Sequence, residues 1–361
     1  MKIVQIFPGK IWGGAEQYVL DLGRELSARG HNVTYVSRNS TAVISNLKNE
    51  GIESQYLPFS WTIDFRTISR LADIIKGADV IHIHTVKFVP ITVLAKIRSG
   101  SNARIVMTRH DAHRTPVNPL FRRFFRNLHK IIFVSDLTRQ SWWGANKWFT
   151  QDKCVVIHNS IPQIQNKTDV ESLRDKYNIP ATTPLIIFSG RVRKSKGCGV
   201  IIDALSRLSD RKFAMIFLGA CRPDTYAETL TKSAETGGIA DRIHFYGFTP
   251  NARELMKQAD IGVSPSVFRD PFLLSNIEFQ QQGVPVITTD NGGQPEYVTD
   301  GETGLLVKPN DPEGLAEAID RLLTNPELRR QIGCNGFDYF NANLSYDKFT
   351  DRIIKVYSEN G

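Results

Sequence analysis

Leu185-Ile186-Ile187-Phe188-Ser189-Gly190-Arg191-Val192-Arg193-Lys194-Ser195-Lys196-Gly197 is an apolar run of strand length that ends in a glycine and four cations within six positions. Four consecutive apolar residues read as a strand buried on both faces, the habit of parallel sheets covered by helices. In such sheets ligands bind beyond the carboxyl ends of strands, so the loop 190–197 is where chemistry is expected. Arginine offers a forked donor to phosphate oxygens and lysine a point charge, so Arg191 and Lys196 are candidates for clamping a diphosphate. Moving outward, residues 213–218, 242–246, 261–264, 284–288 and 304–307 repeat the strand pattern with helix-length segments between them. Upstream, residues 162–184 break the rhythm with Gln, Asn, Lys and Thr, and before them lies a second set of strands at 2–7, 32–36, 80–83, 104–107, 131–134 and 155–157. The stretch 14–29 places Tyr18, Leu22 and Leu26 four residues apart, an amphipathic helix. The expected fold is α/β: two Rossmann-like domains, 1–165 and 184–340, joined by a linker at 166–183. Helices are expected at 312–323, 327–340 and 346–357.

A chain of 361 residues accommodates two such domains at roughly 100–200 residues each. With 41% hydrophobic residues, 26 glycines and 17 prolines it is neither disordered nor fibrous. The longest apolar stretch, 213–221, is far below the ~18 residues that a membrane span needs. The first residues carry one lysine and only a strand-length apolar run, so no export signal is expected. Cys154, Cys198, Cys221 and Cys334 are too widely spaced for a Cys-x-x-Cys pair and read as reduced thiols of a cytosolic protein. Between residues 87 and 147, 12 lysines and arginines face two acids, more positive charge than the chain's net +8. That segment predicts an anionic partner.

Three further turns follow predicted strands. Gly13-Gly14 at a helix start lets backbone amides approach an anion. Ser264-Pro265-Ser266-Val267-Phe268-Arg269-Asp270-Pro271-Phe272-Leu273-Leu274-Ser275-Asn276-Ile277-Glu278 enters a helix, and the amides of residues 273–275 are expected to be unsatisfied first-turn donors. Glu278 could accept from a pair of ribose hydroxyls. Asp290-Asn291-Gly292-Gly293-Gln294-Pro295-Glu296 is a second glycine turn. His82 and His84 share a strand face, but two histidines without a third ligand do not make a metal site.

Seven motifs in this order resemble the family 4 retaining glycosyltransferases of the GT-B fold: Gly-Gly-Ala-Glu (13–16), Gly-Arg-x4-Lys-Gly (190–197), Pro-Ser (265–266), acid-x7-Glu (270–278), Gly-x-Pro-Val (283–286), Gly-Gly-x-x-Glu (292–296) and Asp-Gly-x-x-Gly-Leu-Leu-Val (300–307). The resemblance spans essentially the whole chain. It implies a cleft between the two domains, with a C-terminal segment, 341–361, returning to the first domain. It implies that Arg191 and Lys196 hold the donor diphosphate and Glu278 the ribose. It further implies that Phe248-Thr249 meets the base, Gly13 and Gly14 close over the phosphate, and the turn Phe272-Leu273-Leu274-Ser275 lines the donor. Asp270 takes the position of the family's first glutamate, and His110 that of the histidine that reaches the donor sugar. Three departures stand out. Asp270 is one methylene shorter than glutamate, Leu273 occupies a glycine position, and Asn159-Ser160 replaces Asn-Gly.

The function so implied is a retaining, metal-independent transferase. It would move a sugar from a nucleoside-diphosphate sugar, UDP-sugar favoured, to a glycan or lipid-linked acceptor in surface polysaccharide or glycoconjugate synthesis. The absence of Asp-x-Asp accords with protein cations, not a metal, stabilising the leaving nucleotide. No cofactor and no nucleic acid are expected. The alternative is a catalytically silent GT-B subunit that binds nucleotide or supports a partner transferase. A dinucleotide oxidoreductase is disfavoured because no Gly-x-Gly-x-x-Gly follows the first strand. In the basic segment, residues 119–130 read as one helix with a core stripe of Leu120, Phe121, Phe124, Phe125 and Leu128. Its cations, with Trp142, Trp143 and Trp148, are expected to face an anionic membrane surface at the inner face of the membrane, the alternative being a face that binds only a soluble acidic glycan.

Overall fold

Lys2-Ile3-Val4-Gln5-Ile6-Phe7 forms β1 (Lys2–Phe7), a strand buried from its second residue onward. Val4 and Ile6 enter the apolar core on one sheet face, and Ile3 and Phe7 the core on the other. A strand clad on both sides cannot alternate apolar with polar residues, which is why the run is legible in the sequence. This is a computed structural model, and it describes every residue except 10–12, 50, 61–62, 165–169, 222–224 and 360–361. The chain divides into two units, Met1–Asn159 with Tyr346–Gly361, and Ser160–Ser345.

In the first unit β1 is joined by β2 (Asn32–Arg38), β3 (Ser54–Leu57), β4 (Val80–Ile83), β5 (Arg104–Arg109), β6 (Lys130–Phe133) and β7 (Cys154–Val156). All pairs are parallel, in the order β3-β2-β1-β4-β5-β6-β7, so the winding reverses between β1 and β4. The edge strand β3 is not anticipated by the sequence reading: Ser-Gln-Tyr-Leu has no apolar run, and pairing with β2 alone makes it a strand. The helix Gly14–Ala28 buries Tyr18, Leu22 and Leu26 as their spacing predicts. Beside it the helix Tyr346–Ser358 seats Tyr346, Phe349, Ile353, Val356 and Tyr357 in the same core. Arg29 also reaches Asp347 at 2.9 Å and Asp351 at 2.5 Å, both exposed. Exposed pairs contribute about 0–1 kcal/mol, whereas each buried side chain of this size contributes roughly 1.5–3 kcal/mol, so apolar burial docks this helix.

Two expectations for the basic segment need correction. Residues 119–130 are not one helix. A 3₁₀ turn, Pro119–Phe121, capped by Asn118, leads into a short helix, Arg122–Phe125, and by His129 the backbone has joined β5 through its bond to the Ile105 carbonyl. Sheet pairing overrides helical periodicity there. Phe124, Phe125 and Leu128 are core, but Leu120 is 77% exposed. Nor can Trp142 belong to a membrane face: it is fully buried between Phe125, Phe133 and Phe149, with the Arg109 guanidinium 5.1 Å from its ring centroid.

The second unit holds β8 (Leu185–Ser189), β9 (Ala214–Leu218), β10 (Ile243–Gly247), β11 (Ile261–Ser264), β12 (Val286–Thr289) and β13 (Leu305–Val307). These are again parallel, ordered β10-β9-β8-β11-β12-β13, with the reversal between β8 and β11. Of the expected linker, residues 166–169 lie outside the described residues. Downstream of them a one-turn helix, Leu173–Lys176, buries Leu173 and receives the Gln258 side chain at the Leu173 amide, 2.8 Å. The helices Pro312–Thr324 and Pro326–Tyr339 both begin on proline, capped by Asp311 and Asn325.

Candidate active site

The reversal between β8 and β11 leaves their two following loops to diverge, and a crevice at such a point is the usual ligand position in open parallel sheets. The loop after β8 is stitched to the loop after β11. Val267 and Phe268 both donate to the Ser195 carbonyl, at 3.1 and 3.0 Å. Gly197, at φ +76°, lies so close to Pro265 that a Cβ would stand 1.9 Å from the Pro265 carbonyl oxygen. Only glycine satisfies both the left-handed backbone and that approach.

This stitching brings Lys196 onto Asp270. Lys196 Nζ donates to both carboxylate oxygens, at 2.7 and 2.9 Å, and the Ser266 hydroxyl donates to the same carboxylate. Burial pushes the Lys196 pKa down, Asp270 opposes that, and the nearby Arg193 and Arg191 add to the lowering. Arg191 is likewise lowered, by burial first and then by Arg193. Among the described residues neither Arg191 nor Arg193 has an ion-pair partner, and Arg193 Nε is buried without a hydrogen bond. Three neighbouring cations with one paired carboxylate leave a positive excess in this loop, a setting for an anion with several oxygens. Arg193 is a member the sequence reading passed over, although it lies in the same basic loop.

The helix Leu274–Gln281 begins four residues after Asp270. The expectation that the Leu273 amide is a free donor is corrected: it donates to the Tyr297 hydroxyl at 3.2 Å. Leu274 and Ser275 remain as first-turn amides with no intrahelical acceptor. Leu273 has φ −88° and ψ 108°, extended backbone that any residue adopts, so the missing glycine costs no strain. Phe272 and Leu273 are buried, with the Phe272 ring 4.3 Å from that of Tyr297. Behind Asp270, Gly293 donates to its carbonyl at 2.9 Å, and a Cβ on Gly292 would lie 2.4 Å from the same oxygen. Gln294, fully buried beside this turn, has no hydrogen-bond partner at either end of its amide among the described residues. Further along the helix the half-buried Glu278 lies 4.0 Å from Arg253 Nε. After β10, Phe248 is 75% exposed, while the Thr249 hydroxyl accepts from the Asn251 amide at 3.1 Å.

In the first unit the reversal between β1 and β4 again marks the polar end of the sheet. Lys10–Trp12, in the loop after β1, lie outside the described residues. Gly13 caps the helix that starts at Gly14, but its amide donates to the Glu16 carboxylate. Burial raises the Glu16 pKa, against hydrogen bonds from the Glu16 and Gly13 amides that lower it. Gly14, the first helical residue, is exposed. His110 follows β5 directly and lies with His84 Nδ1 3.1 Å from its Nε2. Burial pushes the His110 pKa down to about 4, so its ring is neutral at physiological pH. The buried Arg109 guanidinium shapes the loop that follows, donating to Asp111 Oδ1 at 2.8 Å, Thr115 Oγ1 at 3.0 Å and the His113 carbonyl. His82 bonds the Tyr357 and Thr108 hydroxyls, each at 2.7 Å. Among the described residues no three His, Cys, Asp or Glu side chains are grouped to hold a metal ion.

Comparison with known proteins agrees with this geometry. Residues 12–163 match the family model described as Glycosyltransferase Family 4, and residues 169–338 the model for glycosyl transferases group 1. The N-acetyl-alpha-D-glucosaminyl L-malate synthase of Bacillus anthracis is 25% identical over 359 residues, covering 96% of this chain and 93% of its own. The D-inositol 3-phosphate glycosyltransferase of Corynebacterium glutamicum is 35% identical over 54% of this chain, which matches 48% of that protein's length. Among solved structures, a glycosyltransferase from Rickettsia africae superposes with a TM-score of 0.88 at 24% identity, covering 99% of this chain and 97% of that one. Anabaena HepE in complex with UDP-glucose superposes at 0.82 with 19% identity, covering 99% of each chain. With one family model on each of its two Rossmann-like sheets and the same fold along nearly its full length, the chain belongs to the family 4 glycosyltransferases of the GT-B fold.

Proposed function

We propose that the protein is a retaining, metal-independent glycosyltransferase that uses a nucleoside-diphosphate sugar, with UDP as the favoured nucleotide, and a glycan or lipid-linked acceptor of surface polysaccharide or glycoconjugate synthesis. One observation carries the reading: Lys196, with Arg191 and Arg193 near it, pairs with Asp270 four residues ahead of the first turn of a helix. When the sugar's anomeric carbon parts from the β-phosphate oxygen, negative charge develops on the diphosphate. Arg191, Lys196 and the amides of Leu274 and Ser275 stabilise it where it forms, and these cations supply the charge that a divalent ion supplies elsewhere. The acceptor oxygen bonds to the anomeric carbon on the face the leaving group vacates, and its proton passes to the departing phosphate oxygen. No protein base is needed. Asp270 accepts from a sugar hydroxyl, His110 meets the sugar, Glu278 holds the ribose, and the exposed Phe248 ring with Thr249 receives the base. The UDP preference draws support from the Anabaena HepE structures, whose complexes contain UDP and UDP-glucose.

The test is incubation with a panel of UDP-, GDP- and dTDP-sugars, with and without candidate acceptors, following hydrolysis and transfer in excess EDTA. Turnover of a UDP-sugar with retained anomeric configuration is expected. Abolition by EDTA with rescue by manganese overturns the metal-free part. Binding of nucleotide without any turnover favours the silent-subunit reading, which the occupied Leu273 amide makes specific.

The acceptor side of the reading includes an anionic membrane surface. No helix among the described residues is long and apolar enough to cross a membrane. On the first unit, exposed Leu120 precedes Arg122 and Arg123, and exposed Ile97 sits between Lys96 and Arg98 on the helix Val89–Ser99, which packs on the helix Arg122–Phe125. Apolar tips among cations suit the headgroup layer of a bilayer. Sedimentation with anionic vesicles, weakened by salt and by Leu120→Glu, is expected. Equal indifference to anionic and neutral vesicles removes this part.

A further inference from the structure

Side chains two apart along a strand share a face, and strands in register carry that face across the sheet. On the face that holds Ile3 and Phe7 of β1, the residue between them is Gln5, and its register partner on β4 is His82. His84 and His110 continue the same alternation beyond β4 and β5. Three neighbouring central strands therefore place Gln5, His82, His84, Thr108 and His110 where apolar residues would otherwise pack, under the rings of Tyr18 and Tyr357. Burying that many polar groups costs free energy unless their hydrogen bonds are made, and the bonds made here are directional.

The direction follows from one acceptor. In the orientation its side chain takes, Gln5 presents Oε1 to His84 Nε2 at 2.7 Å and leaves its own Nε2 buried without a hydrogen bond; a carbonyl oxygen only accepts, so in this arrangement His84 carries its proton on Nε2. His84 is neutral, because burial with His82 and His110 beside it holds its pKa well below the usual value. Its Nδ1 is then a lone pair. His110 Nε2, 3.1 Å away, must be the donor of that bond. A neutral His110 with its proton on Nε2 has Nδ1 as an acceptor, and among the described residues no hydrogen bond reaches that atom, on a ring that is only partly buried.

We propose that Gln5 is a positioning residue which, through His84, holds His110 as the Nε2–H tautomer, so that His110 Nδ1 accepts a hydroxyl proton of the bound sugar and cannot donate to it. The proposal rests on the reading above in which His110 meets the donor sugar. It adds that the contact is one-way: a sugar hydroxyl is the donor and the ring the acceptor, which selects a hydroxyl over an acceptor-only group at that position.

Long-range proton–nitrogen correlation spectra of the ¹⁵N-labelled full chain, with the His110 signals assigned by their loss in His110→Ala, test this directly. The expected wild-type spectrum has His110 neutral and protonated on Nε2. A proton on Nδ1 overturns the proposal without any variant being needed. Gln5→Leu should convert His110 to a mixture of tautomers and lower turnover roughly tenfold, the loss of one oriented hydrogen bond, with nucleotide affinity unchanged. An unchanged tautomer and turnover in a folded Gln5→Leu protein overturns it as well. Undiminished turnover in His110→Ala overturns instead the reading that His110 meets the sugar, and the wild-type spectrum tells that failure apart from a wrong tautomer.

Discussion

Lys196 Nζ bridges both carboxylate oxygens of Asp270, at 2.7 and 2.9 Å, although the two residues are 74 positions apart and follow different strands. The pair sits where the sheet order reverses, and neither partner is surface-exposed. A single-residue change therefore alters two things together: the charge offered to a diphosphate, and the fate of the partner left in a largely desolvated place.

Lys196→Ala removes one phosphate-directed cation and leaves Asp270 with Ser266 alone. Turnover of an accepted donor should fall by about 2–4 kcal/mol of transition-state stabilisation, the scale of one charge aimed at developing negative charge. Arg191→Ala should cost a similar amount in turnover with little loss of thermal stability, since Arg191 has no ion-pair partner among the described residues. Steady-state rates with melting curves check both. Full turnover in either variant would falsify the phosphate assignment.

Asp270→Asn and Glu278→Ala should separate the two halves of the donor. Asp270→Asn is expected to lower turnover roughly 10–100-fold, a charge-assisted hydrogen bond of about 1.5–3 kcal/mol. Because the change also releases Lys196 from its counter-charge, affinity for the free nucleoside diphosphate should stay level or rise. Glu278→Ala should instead weaken nucleotide binding itself. Titration calorimetry with UDP reads both, and the same response from the two variants would mean that the carboxylates do not face different parts of the ligand.

Gly197→Ala tests the stitching. A methyl group at φ +76°, 1.9 Å from the Pro265 carbonyl, cannot be accommodated without moving the loop after β8 from the loop after β11. Loss of about 1–3 kcal/mol in stability is expected, together with loss of activity, while Gly238→Ala, also at positive φ but with open space around its Cβ, should pay only the backbone term. Denaturant midpoints compare the two directly; equal midpoints would show that the close approach is not required.

Acid should loosen the first unit. His82 and His110 are held neutral by burial, with pKa values pushed down to about 3 and about 4, against about 6.5 in an unfolded chain. Between pH 6.5 and those values the unfolded state binds more protons than the folded one, so stability is greatest above pH 6.5 and falls as pH drops through this window. The loss should amount to a few kcal/mol by about pH 4. A melting temperature independent of pH between 7 and 4.5 would show that the cluster titrates normally.

The sequence alone determines the two-sheet architecture, because strands buried on both faces must be written as short apolar runs. Those at 2–7, 80–83, 185–189 and 261–264 coincide with β1, β4, β8 and β11. It also marks the loops after strands as sites, since clustered cations there serve no packing purpose. What it leaves open depends on neighbours brought from elsewhere in the chain. β3 exists through pairing with β2; residues 119–130 give up helical periodicity to join β5; Trp142 turns inward toward Arg109. The same holds in the site. That Tyr297 takes the Leu273 amide, that Lys196 is already matched to Asp270, and that Gln5 orients His84 are facts of hydrogen-bond geometry between residues 24, 74 and 79 positions apart. Periodicity encodes which face of an element is apolar. It carries no information on which polar atom meets which, because that is settled only when the sheet order brings distant loops to the same edge.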